Sequence, residues 1–84
     1  MSEHKVILSP RSKERALYML EQNKLEFYVA RTASKLDIKG AVRALFQVEV
    51  SKVNTRITKE GKLAIVKLSE GYSAEDLSNR LGIL

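Results

Sequence analysis

The chain has no cysteine, no tryptophan, one proline and one histidine in 84 residues. Without cysteine there is no disulfide framework, no thiolate metal site and no sulfur nucleophile. The single histidine, His4, stands beside the N-terminus, so no Ser/His/Asp or Cys/His catalytic arrangement is available. The four glycines, Gly40, Gly61, Gly71 and Gly82, are scattered, which excludes a glycine-rich phosphate loop. Apolar runs such as Leu63-Ala64-Ile65-Val66 fall far short of the roughly 20 residues of a membrane span. Met1-Ser2-Glu3-His4 lacks the basic-then-apolar pattern of a signal peptide, so the expected compartment is the cytoplasm. Glu75-Asp76 falls in the first turn of an expected helix, where carboxylates answer the helix dipole. The nearest catalytic class is a small hydrolase of the acylphosphatase kind with Arg11 on phosphate, but no segment offers the run of backbone donors it needs. No enzymatic activity, cofactor or metal is expected.

What the chain has is a globular apolar share, 44%, and a basic excess. Its net charge is +5, and the excess is segregated. Residues 31–67 hold nine basic and three acidic side chains, whereas 68–84 hold one basic and three acidic. A small domain with its positive charge gathered in one segment is a candidate polyanion binder.

The pattern of residues predicts one domain over 1–84. Val6-Ile7-Leu8 reads as a short strand that ends at Ser9-Pro10. A helix is expected from about Ser12 to Gln22, then a turn at Asn23-Lys24. Leu25, Phe27 and Val29 alternate with Glu26, Tyr28 and Ala30, the period of a half-buried strand. Ser34-Lys35-Leu36-Asp37 has the form of a capping box, and Ile38, Ala41, Val42, Leu45 and Phe46 then mark one helix face. Val48 and Val50 share one strand parity and Val53, Thr55 and Ile57 the other, which predicts a bulge near Ser51-Lys52. Lys59-Glu60-Gly61-Lys62 is a hairpin turn, and a return strand and a short final helix follow, with Gly82 as its cap. The order is β-α-β-α-β-β-α, an α+β fold with a mostly antiparallel four-stranded sheet and helices packed on one face. Leu17, Leu20, Phe27, Val29, Ile38, Val42, Leu45, Val66 and Leu68 are the expected core.

Polyanion binding is the chemistry these residues supply. Lys35, Lys39 and Arg43 recur every four residues along one helix flank. The second hairpin carries Lys52, Arg56, Lys59, Lys62 and Lys67 beside the polar pair Asn54-Thr55. Cationic side chains neutralise phosphates and release counterions, and Asn and Thr can bond phosphate or the ribose hydroxyl. Of the five aromatics only Tyr28 and Tyr72 are placed to face outward, and the signature of base-stacking RNA modules is absent. Structured RNA recognised by shape and backbone is the expected ligand. The alternative is a free protein–protein module whose basic face meets an acidic partner.

Several segments resemble a known family. Asn23-Lys24-Leu25-Glu26-Phe27, Ala33-Ser34-Lys35 with Ile38-Lys39 and Ala41-Val42, Leu45-Phe46, Val48-Glu49-Val50 and Val53-Asn54-Thr55 look like the universal ribosomal large-subunit protein twenty-three family. Ala64-Ile65-Val66-Lys67-Leu68 and Tyr72-Ser73-Ala74-Glu75-Asp76 with Arg80-Leu81-Gly82 resemble its archaeal branch. The resemblance implies a ribosomal protein beside the nascent-peptide exit tunnel that binds the third domain of large-subunit rRNA. It also implies contact with the neighbouring ribosomal protein twenty-nine and a docking surface for the signal recognition particle. By position it directs Lys52, Asn54, Thr55 and Arg56, with Lys35 and Lys39, to rRNA, and aligns Glu14 with an acidic residue shown to docking factors.

Two departures qualify the match. The family reads Pro-His-x-Ser/Thr-Glu-Lys-Ala where this chain has Pro10-Arg11-Ser12-Lys13-Glu14-Arg15-Ala16, so Lys13 replaces the usual capping hydroxyl residue and Ser12 is expected to take over the cap. Thr58-Lys59-Glu60-Gly61-Lys62 is also too short for the tunnel-lining extension of bacterial members. The expected rRNA contacts are therefore Lys35, Lys39, Arg43, Lys52, Asn54, Thr55, Arg56, Lys59 and Lys62. No membrane span or small-molecule substrate is expected.

Overall fold

A computed structural model describes residues 6–10 and 16–81. Its elements are β1 (Ile7–Pro10), α1 (Ala16–Glu21), β2 (Lys24–Val29), α2 (Lys35–Phe46), β3 (Val50–Thr58), β4 (Gly61–Leu68) and α3 (Ala74–Leu81). Ser12, Glu14 and Gly82, and the side chain of Leu17, lie outside the described residues. The four strands form one antiparallel sheet in the order β1-β2-β4-β3, so the α+β expectation holds.

Alternation decides which way each strand faces. Leu25, Phe27 and Val29 of β2 are buried on one face, with Val66 and Ala64 of β4 opposite Leu25 and Phe27. On β3 the register shifts between Val50 and Lys52, and both Val50 and Val53 are buried. This is the bulge predicted by the change of parity. The inserted residue, Ser51, turns its hydroxyl to the Lys67 carbonyl at 3.2 Å.

The helices cover that apolar face. Ile38, Ala41 and Val42 of α2 and Ala74 and Leu77 of α3 join the strand residues in one core cluster, with Leu20 of α1 packed against it. Phe46, at the end of α2, stacks on Phe27 with ring centroids 5.7 Å apart. Leu45, expected in the core, is only half-buried, whereas Ile38, Ala41 and Val42 earlier on the same helix face are buried. The α2 start is the predicted box: Ser34 Oγ accepts from the Asp37 N–H, and Asp37 accepts from the Ser34 N–H at 2.9 Å.

Long-range polar contacts fix the loops. Asn23 adopts a left-handed conformation (φ 60°), as a C-terminal capping residue does, and its amide donates to the Tyr72 carbonyl at 2.9 Å. Arg80 of α3 donates to the Phe46 carbonyl at 2.9 Å, satisfying an acceptor that the end of α2 leaves open. In the β3–β4 hairpin the positive φ falls on Gly61, and Thr58 Oγ1 donates to its carbonyl at 2.9 Å.

Candidate nucleic-acid interface

Since the core lies on one face, every second strand residue is turned to the other, on which no described helix packs. The register sets out that open face as rows across three strands. Lys24 of β2 pairs with Lys67 of β4, and Lys67 pairs with Lys52 of β3. Glu26, Ile65 and Asn54 form the next row, and Tyr28, Leu63 and Arg56 the one after. Neighbouring strands are about 4.8 Å apart, so three ammonium-bearing side chains leave the sheet within roughly 10 Å of one another. Like charges directly opposite each other disfavour pairing in a free sheet. A lysine row therefore costs the fold something, and a polyanion lying across it would offset that cost.

Among the described residues an ion pair also spans this face. Arg56 Nη2 lies 4.0 Å from Glu26 Oε2. The two come from strands on either side of β4, so their contact crosses over that strand. Leu63, flanked by Tyr28 and Arg56, has no exposed surface although it lies outside the main core. Arg56 itself is more than half exposed and keeps donors for a further anion.

The nine residues singled out in the sequence fall in several places. Lys52, Asn54 and Arg56 are exposed on the open face. Thr55 lies opposite Ala64, on the helix-covered side, and is half-buried. Lys59 is exposed in the hairpin turn. The Lys62 ammonium donates to the Ala33 carbonyl at 2.7 Å and the Arg31 carbonyl at 3.3 Å, bracing the loop ahead of α2. Lys35, Lys39 and Arg43 follow one flank of α2, and Arg43 is joined to Glu49, just before β3, at 3.0 Å. That pair is about half exposed, so it contributes little stability, roughly 0–1 kcal/mol. The helix stripe thus ends beside β3, an edge strand of the sheet.

Two members of the lysine row, Lys24 and Lys67, were not among the expected contacts. Lys67 is visible in sequence as a hairpin cation. Lys24 carries no local signal, because only the β2–β4 register brings it beside the others. Among the described residues no cluster of acidic or histidine side chains is arranged to hold a metal ion, and no helix is long and apolar enough to cross a membrane.

Comparison with known proteins decides the family. The model of the family described as Ribosomal protein L23 matches residues 5–75. The chain belongs to the ribosomal protein L23 family. It is 47% identical over 78 residues to the large ribosomal subunit protein uL23 of Picrophilus torridus, covering 92% of this chain and 95% of that one. It is 46% identical over 79 residues to the uL23 of Thermoplasma acidophilum, covering 93% and 94%. The chain is thus an archaeal-type member of the ribosomal protein L23 family, a structural protein of the large ribosomal subunit in the cytoplasm.

Proposed function

We propose that the chain binds large-subunit rRNA through the open sheet face and the adjoining β3 edge. The observation that carries this reading is the cross-strand row Lys24–Lys67–Lys52, three cations in register where a free sheet has no use for them. Arg56 and Asn54 extend the row along β3, and Lys59 extends it to the hairpin tip. Because β3 is an edge, a phosphate backbone running along it reaches Lys35, Lys39 and Arg43 on the α2 flank as well. Binding works by phosphate neutralisation and shape fit, with Asn54 as the hydrogen-bonding group on the open face, whereas Thr55, turned to the helix-covered side, is left out of that contact.

The finer reading follows the family resemblance. It assigns the protein to the rim of the nascent-peptide exit tunnel, against the third domain of the rRNA and beside ribosomal protein twenty-nine. Glu14 then belongs to a docking surface for the signal recognition particle. Glu14→Lys should weaken docking of that particle on whole ribosomes and leave rRNA binding intact; equal docking by both versions removes Glu14 from that role.

The test of rRNA binding is titration of the purified chain against a transcript of archaeal large-subunit rRNA and against an unrelated folded RNA of equal length. Selective binding that survives competitor supports the reading. Equal, steeply salt-sensitive binding to both reduces the basic face to a generic polyanion surface.

A further inference from the structure

The open face ends in a slot. Along β4 it presents Lys67, Ile65 and Leu63, and the next position on the same side is Gly61, which has no side chain. A Cβ there would lie 4.0 Å from Tyr28 Cδ1, so the missing side chain leaves one edge of the Tyr28 ring open. The cleft at this point measures about 430 Å³, within the range of about 300–1,000 Å³ typical of small-ligand clefts. Leu8, 61% exposed on the β1 edge, and Tyr28 form apolar parts of its lining. Ser9 and Glu60 are the polar residues of the lining, and Val29 and Lys62 complete it, the Lys62 ammonium being engaged elsewhere.

We infer that this slot receives one unstacked nucleobase of the bound RNA, packed against Tyr28. The inference rests on the rRNA reading above and adds a contact that phosphate neutralisation alone does not require. A planar heterocycle matches the lining: aromatic and aliphatic surface for its faces, and Ser9 and Glu60 as hydrogen-bonding groups for its edge. Charge favours a nucleotide over a neutral peptide, since Arg56 stands two strands from Tyr28 in the same row. That places a phosphate ligand about 10 Å from the ring, the span of one or two nucleotides. Tyr28 is the one aromatic side chain among the described residues that lies on this face.

The test uses the full chain and a transcript of the Thermoplasma acidophilum large-subunit rRNA. Affinity is measured for wild type, Tyr28→Phe and Tyr28→Ala, with ultraviolet cross-linking and mass spectrometry to locate base adducts. The expected result is selective wild-type binding, a base cross-linked to Tyr28, near-wild-type affinity for Tyr28→Phe and about tenfold or greater loss for Tyr28→Ala. Selective wild-type binding with no adduct at Tyr28, or with Tyr28→Ala folded and equally tight, overturns the slot and leaves the rRNA reading standing. A Tyr28 cross-link to protein in assembled subunits assigns the slot to a peptide and also overturns it. Loss of selectivity in the wild type itself overturns the rRNA reading, and the slot with it. If Tyr28→Ala fails to fold, the adduct and the Tyr28→Phe affinity decide the matter.

Discussion

The Asn23 side-chain carbonyl accepts a hydrogen bond from the Ala74 N–H at 2.8 Å, joining residues 51 positions apart. The same side chain donates to the Tyr72 and Leu68 carbonyls, and the Asn23 main-chain carbonyl accepts from the Leu68 N–H. One residue thus ends α1, starts β2 and satisfies a free donor at the start of α3. Its left-handed backbone suits asparagine or glycine. Asn23→Gly should keep that backbone and lose the side-chain bonds, at about 2 kcal/mol. Asn23→Ala should lose about 1–2 kcal/mol more. Urea unfolding checks the order; a glycine variant as stable as wild type would mean that the three bonds contribute nothing.

The α2 capping box makes stability depend on pH. The backbone N–H of Ser34 and then its hydroxyl hold the Asp37 carboxyl below its ordinary value. A carboxylate depressed in the folded state adds stability above the unfolded value, and that stability is lost as pH falls through the folded value. Wild type should therefore exceed Asp37→Asn in stability at pH 7, and the gap should close below about pH 4, where unfolded carboxyls begin to protonate. Ser34→Ala removes the other half of the box and should cost about 1 kcal/mol at neutral pH. Unfolding curves at several pH values test both; a gap that stays constant into acid would contradict the capping role of the charge.

Lys62 and Lys52 should behave differently although both are cations of the same hairpin. Lys62 is held by the Ala33 and Arg31 carbonyls, so Lys62→Met should lower stability by about 1 kcal/mol or more. The slope of log affinity against log salt on rRNA should barely change. Lys52→Met should leave stability unchanged and reduce that slope by about one. A lower slope for the Lys62 variant would mean that its ammonium meets phosphate as well.

What could be read from the sequence was what local pattern determines. The β2 alternation, the Ser34–Asp37 box and the β3 bulge each depend on residues within a few positions of one another, and all three are present. The site was legible only in part, for a different reason. Which lysines stand together depends on the strand order β1-β2-β4-β3, and this order puts Lys24 beside residues more than twenty-five positions away. The Lys62 charge is visible in sequence, whereas the carbonyls that engage it belong to a loop about thirty residues earlier and are not. Leu63 has outward parity and is buried all the same, beside Tyr28 and Arg56 of its own row, which periodicity alone does not reveal.

The most direct test of the central claim replaces the lysine row as a unit. Lys24, Lys52 and Lys67 are changed together to Gln, and both the unfolding free energy and the rRNA affinity are measured across a salt series. The triple variant should be at least as stable as wild type, because three like charges in register are gone. Its rRNA binding should be weaker, with a salt slope shallower by about two to three. Undiminished affinity and an unchanged slope in a folded triple variant would contradict the assignment of the open face to rRNA.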